Sequence, residues 1–181
     1  QKGVDIAQVA LCEKSTDAAL RSLNRTIAMA YGNISYAYQK MGDLDLSKSY
    51  IRKCIGIQEA IDDQYGMSVS YTTIGYQLET AGQLDSALYY YHKALKIKNE
   101  IGDDSGKGSV LINLAYVFKE QGEMAEALKY ASENVALQTE LGEQNKMVKG
   151  LSMLGKIHIE NGTLDSAYFH LNEGLEIAIE I

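Results

Sequence analysis

Proline is absent from this chain of 181 residues, and so is tryptophan. Ordinary usage would supply about nine prolines. Their absence excludes proline-rich linkers, polyproline recognition segments and the proline-punctuated loops of a β-sandwich. Cysteine is scarce: Cys12 and Cys54 are too few for a disulfide framework. That leaves the compartment open, with the cytoplasm favoured and the periplasm allowed. No apolar run approaches the roughly twenty residues that span a bilayer, and no signal-peptide pattern opens the sequence. Basic residues are in deficit, 17 Lys and Arg against 24 Asp and Glu, for a formal net charge of −7. An acidic balance argues against direct binding to nucleic acid. What is present is 46 % hydrophobic and 23 % charged residues, the composition of a folded chain. Its aromatic content is almost all tyrosine, 13 Tyr against 2 Phe.

A repeat organises these residues. Gly42, Gly82, Gly122 and Gly162 recur at a spacing of 40 residues. Small residues precede them in register (Ser35, Gly75, Ala115, Gly155), each after an aliphatic one (Ile34, Ile74, Leu114, Leu154). Downstream come Ser47, Ala87, Ala127 and Ala167, then Ile51, Tyr91, Ala131 and Leu171, then Ile55, Leu95, Val135 and Leu175. Tyr71, Ile74, Gly75 and Leu78 follow an i, i+3, i+4, i+7 spacing, one stripe of a helix. Leu84, Ala87, Leu88, Tyr91 and Leu95 draw a second stripe beyond Gly82. Glycine can end the first helix in a left-handed conformation. The acidic residues Asp45, Asp85, Glu126 and Asp165 then open the second, where the helix dipole favours negative charge. Each unit is read as helix, tight turn, helix.

These positions resemble the tetratricopeptide repeat, whose pattern of large, aliphatic, small, turn and alanine positions is met by Tyr71, Ile74, Gly75, Leu78, Gly82, Ala87, Tyr91 and Ala94. The other units depart at single sites: Cys54, Asn134 and Gly174 stand at the final small position, and His158 stands at an aromatic one. The usual unit of about 34 residues ends in a proline. Here Glu59, Asn99, Thr139 and Ile179 replace it, so the second helix runs on, as in the forty-residue subclass. The resemblance implies an all-α fold, a right-handed α-α superhelix (solenoid) of antiparallel helix pairs. Units are expected at residues 25–64, 65–104, 105–144 and 145–181. Residues 1–24 are read as a partial unit, a second helix carrying Val4, Asp5, Ala7 and Leu11, then a connector with a break near Lys14 to Thr16. Ile181 closes the last second helix with no polar cap after it, and solenoid ends need polar caps. The expectation is therefore a segment of a longer protein, or an end hidden in an oligomer.

No residue set points to catalysis, a metal or a cofactor. His92, His158 and His170 lack metal-ligand spacing. Cys12 and Cys54 read as small apolar residues. Gly102 to Ser109 superficially resembles a phosphate-binding loop, but its glycine spacing is wrong and a helix precedes it, so it reads as a connector between units.

In arrays of this family, the position after the small residue of each first helix faces a concave groove. Tyr36, Tyr76 and Tyr116 hold it here, followed by Lys156. On the same face lie Asn33, Thr73, Asn113 and Met153, then Gln39, Glu79, Lys119 and Ile159. Tyrosine offers a wide apolar face and a hydroxyl at low entropy cost, which suits recognition. The expected function is a non-enzymatic scaffold binding a protein or peptide segment, within a bacterial signalling or regulatory protein. The alternative is an oligomerisation or sensory spacer of a kinase or transcriptional regulator, a homodimer with no groove ligand.

Overall fold

The protein is described by a computed structural model, in backbone from residue 2 and in side chains from residue 16 to residue 181. The pattern read on Val4, Asp5, Ala7, Leu11 and Cys12 lies outside the described side chains. Eight α-helices and no strand occur among the described residues. They are α1 (Lys2–Lys40), α2 (Leu44–Ala60), α3 (Gln64–Thr80), α4 (Leu84–Ile101), α5 (Asp104–Glu120), α6 (Met124–Glu140), α7 (Gln144–Glu160) and α8 (Leu164–Glu180). The fold is an all-α helical repeat.

The turns follow from glycine. Gly42, Gly82, Gly122 and Gly162 take φ of 83°, 71°, 80° and 75°, the left-handed region open to a residue without Cβ. The connectors between pairs use the same device at Gly102 and Gly142, with φ of 69° and 67°. The left-handed turn therefore recurs every twenty residues, half the sequence period. Asp62 occupies the equivalent place at φ 52° and is the exception among non-glycine residues described. An L-residue there costs about 1 kcal/mol or more. Asp62→Gly is thus expected to raise stability by about 0.5–1 kcal/mol in urea denaturation, less what is lost with the exposed 2.7 Å hydrogen bond from Gln64 Nε2.

α1 departs from expectation. It runs unbroken through Lys14 to Thr16 and past residue 24, where a connector was expected. No glycine or proline lies between Gly3 and Gly32 to stop it.

The chain divides into two compact units, residues 1–70 and 71–181. In the first, α1 packs on α2 over the buried Ala28, Ile51 and Cys54. Ser35 and Ser47 tie the two helices reciprocally: each hydroxyl donates to the other residue's carbonyl, at 2.9 and 2.7 Å. Burial pushes the Cys54 thiol up, against the opposing hydrogen bond with Ser70, so this cysteine is an unreactive core residue. Arg25 grips Asp63 with two donors at 3.2 and 3.3 Å.

In the second unit, α5 packs with α4, α6 and α7, and α7 also packs with α6 and α8. The small positions are matched to what faces them. Gly75 lies under the buried Tyr91, whose ring would stand 2.5 Å from a Cβ added there. Gly155 makes the same room for Leu171. Where the second helix offers Ala127 and Ala131, the first helix carries Ala115, and all three share one buried cluster. Glycine with a large partner and alanine with alanine keep the packed volume nearly constant.

Candidate protein-interaction surface

Each first helix buries a small residue, and the next residue, about 100° further round, points outward. In the first unit this gives Tyr36, which is 56 % exposed, with Lys40 Nζ 5.3 Å from its ring centroid. Asn33 is exposed beside it and Gln39 is half-buried.

In the second unit the same construction exposes Tyr76 on α3, Tyr116 on α5 and Lys156 on α7. Thr73 and Asn113 are half-buried. Ile159 of α7 is exposed as expected, whereas Glu79, Lys119 and Met153 are engaged within the protein. Met153 is buried in the cluster that joins Ala115, Leu154 and Ile157, so it belongs to the core and not to an open face. Its side chain falls there because α5 and α7 pack side by side.

Glu79 accepts the Tyr91 hydroxyl at 2.6 Å. Burial raises the Glu79 carboxyl above the usual carboxylate range, the Tyr91 hydrogen bond opposes this, and Glu120 adds to the rise. Burial, reinforced by Glu79, pushes the Tyr91 phenol far upward, so it stays protonated and donating. Lys119 lies over Tyr116, 5.5 Å from the ring centroid, and its ammonium donates to Glu120 at 2.6 Å and to Glu160 of α7 at 2.9 Å. Burial works against this ammonium, but the hydrogen bonds to Glu120 and Glu160 outweigh it and hold its pKa above the ordinary lysine value. Lys119 thus clamps α5 to α7. Glu160 stands 41 residues after Lys119, one step out of the repeat register, so periodicity alone does not pair them.

What remains open to solvent in the second unit is the phenol faces of Tyr76 and Tyr116, the Lys156 side chain and Ile159, bordered by paired charges. The set can make apolar contact and hydrogen bonds, but it places no nucleophile beside a base. Among the described residues, no group of three or more His, Cys, Asp or Glu is placed to hold a metal ion. The glycine-rich segment at residues 102–109 caps helices: Gly102 ends α4, and Asp103 Oδ1 accepts the Gly106 amide of α5 at 2.9 Å. No described helix is long and apolar enough to cross a membrane.

Known structures of similar shape are helical repeats. A putative kinesin light chain from Podosopora anserina, with nearly identical tetratricopeptide-like repeats, superposes with a TM-score of 0.71 at 16 % identity, over 84 % of this chain and 75 % of that one. Aspartyl phosphate phosphatase F from Bacillus subtilis gives 0.80 at 17 % identity, over 87 % of this chain and 41 % of its own length. A signal transduction ATPase with numerous domains from Pyrococcus horikoshii, which carries a tetratricopeptide repeat sensor, gives 0.80 at 19 % identity, over 86 % and 24 %. The chain therefore spans less than half the length of the last two. No curated protein matches it by sequence. The family model for the tetratricopeptide repeat matches residues 26–100. Residues 26–100 are thus tetratricopeptide repeats, and the same forty-residue register continues through the helices that follow.

Proposed function

We propose that this chain is a non-enzymatic scaffold that holds a protein segment against the exposed faces of its first helices. The observation that carries the reading is the exposure of Tyr76 and Tyr116 beside groups already paired within the fold, Glu79 with Tyr91 and Lys119 with Glu120 and Glu160. With those charges neutralised, recognition falls to the phenol faces, the Asn113 amide and Lys156. The partner is then a segment offering apolar side chains and hydrogen-bonding backbone, more than a strongly charged one. In the first unit Asn33 and Tyr36 supply the same chemistry.

The forty-residue period supports a place within a larger signalling or regulatory protein of bacterial type, where such a scaffold would present a partner to an output domain. The test is hydrogen–deuterium exchange on the chain with peptides selected against it from a random library. Bound peptides should slow exchange in α3, α5 and α7. Protection confined to other helices would contradict the assignment.

A further inference from the structure

Two of the first three repeats join their helices by a stacked aromatic pair. Tyr38 of α1 stacks on Tyr50 of α2 with ring centroids 5.5 Å apart and planes 7° from parallel. Phe118 of α5 stacks on Tyr130 of α6 at 5.4 Å and 5°. Between them Leu78 takes the first position, and Tyr90 meets Tyr71 at 5.9 Å. In the fourth repeat both positions are histidine: His158 of α7 and His170 of α8 stack at 5.4 Å and 16°. The geometry is that of the aromatic pairs, but imidazoles titrate near neutral pH, which phenol and phenyl rings do not.

The surroundings receive one proton well and a second one badly. His158 Nδ1 and the Thr163 hydroxyl share a 2.7 Å hydrogen bond across the turn, and that hydroxyl donates to the His158 carbonyl at 3.2 Å. Nδ1 is therefore the proton-bearing nitrogen of neutral His158, and Nε2 is the basic one. On α8, Glu173 Oε2 stands 3.9 Å from His170 Nδ1, so a first proton on His170 meets a carboxylate. A second, on His158, sets two like charges 5.4 Å apart on half-buried rings.

The other charged groups around the pair are exposed or already paired. Glu160 of α7 is held by Lys119 of α5 at 2.9 Å, and Lys156 is exposed. α6 turns Met124, Leu128 and Val135 to the cluster it shares with α7. Its Glu126 and Glu133 are paired with Lys129 and Lys107, and Glu123 before it is exposed. Asp165 and Glu176 of α8 lie exposed in a shallow depression beside Tyr168 and Phe169. Burial, then the charge of His170, lowers the His158 pKa from its ordinary value. A histidine depressed in this way contributes stability that is present above its unfolded value, about 6.5, and is lost as pH falls through the lower folded value.

We propose that the His158–His170 stack is an acid-sensitive latch: when neutral it joins α7 to α8 as the aromatic stacks join other helix pairs, and its double protonation below about pH 6.5 loosens α8 from α7. The latch needs no ligand at the tyrosine faces. His92 of α4, beside Phe118 and Tyr130, is a single imidazole whose pKa burial also lowers, so global stability does not isolate the latch.

Hydrogen exchange of the full 181-residue chain at pH 7.5 and pH 5.0, corrected for the intrinsic pH dependence of amide exchange, isolates it. Protection in α8 should fall at least fivefold relative to protection in α2 and α4. His158→Phe/His170→Tyr rebuilds the Phe118–Tyr130 pair and should reduce that fall to less than twofold. In the unsubstituted chain, the imidazole Cε1–H resonances of His158 and His170 should titrate in two steps at least one pH unit apart, with His158 the lower. An equal fall in α2, α4 and α8, or an equal fall in the double variant, would overturn the proposal. So would independent titration of both imidazoles at the ordinary histidine value, a result that needs no variant to fold.

Discussion

Tyr91→Ala should destabilise the second unit by about 3–5 kcal/mol, the largest expected effect of one side chain. Tyr91 is fully buried on α4, and its ring fills space that exists because Gly75 on α3 has no Cβ. Truncation removes the ring's contacts and leaves a cavity, because the neighbouring helix is already at close approach. The partner substitution Gly75→Ala should cost about 1–3 kcal/mol by forcing the ring aside. In the double variant the alanine meets no ring, so the combined cost should fall below the sum of the two. Urea denaturation of the four chains in this cycle checks the coupling. Tyr91→Phe is a milder test: it keeps the packing and loses only the hydrogen bond to Glu79, worth about 1 kcal/mol. Because that bond lowers the Glu79 pKa, Tyr91→Phe should also raise the titration midpoint of Glu79 in NMR spectra.

Asp103→Ala carries the second large effect, about 3 kcal/mol or more. One Asp103 oxygen caps α5 through the Gly106 amide at 2.9 Å, and the other accepts the Lys98 ammonium at 2.7 Å. The Lys98 side chain is only 5 % exposed, so losing this carboxylate leaves a buried charge poorly compensated. Lys98→Met should cost far less, because it removes the charge together with the need for a partner and retains the cap. The pair also gives a pH signature. The Lys98 hydrogen bond, helped by the Gly106 amide, holds the Asp103 carboxyl below its usual range. A carboxyl depressed in the folded state contributes stability that is present above its unfolded value, about 3.9, and is lost as pH falls through the lower folded value. Stability measured from pH 7 down to pH 2 should therefore show an acid-side loss that is smaller in Asp103→Ala.

Periodicity in the sequence reached the architecture and stopped short of the partners. Gly42, Gly82, Gly122 and Gly162 announced the turns, because a left-handed residue has a chemical requirement visible in the residue itself. At Asp62 the same turn is made without glycine, because aspartate is among the few other residues that tolerate that conformation. The small positions were equally plain, but the pairing of Gly75 with Tyr91 and of Gly155 with Leu171 was not. The facing position varies among Ile51, Tyr91, Ala131 and Leu171, and only contact shows that each is sized to its partner.

On the candidate surface, register placed Tyr36, Tyr76 and Tyr116 outward. It also placed Glu79, Lys119 and Met153 there, although their long side chains turn to partners on neighbouring helices. A repeat fixes where a Cα lies; which atoms a flexible side chain finds depends on elements outside its own helix. Nothing in the repeat pattern marks Lys98, Gln58 and Gln138 as buried, yet all three are, at equivalent places in the second helices.

The most direct test of the scaffold reading is the affinity of a library-selected peptide that protects α3, α5 and α7, measured for the original chain and for Tyr76→Ala/Tyr116→Ala. Both residues are exposed, so the double variant should unfold at nearly the same urea concentration. The account predicts affinity at least tenfold weaker in the double variant, since each aromatic anchor lost from a binding surface costs on the order of 1 kcal/mol or more. Unchanged affinity in a folded double variant would contradict it.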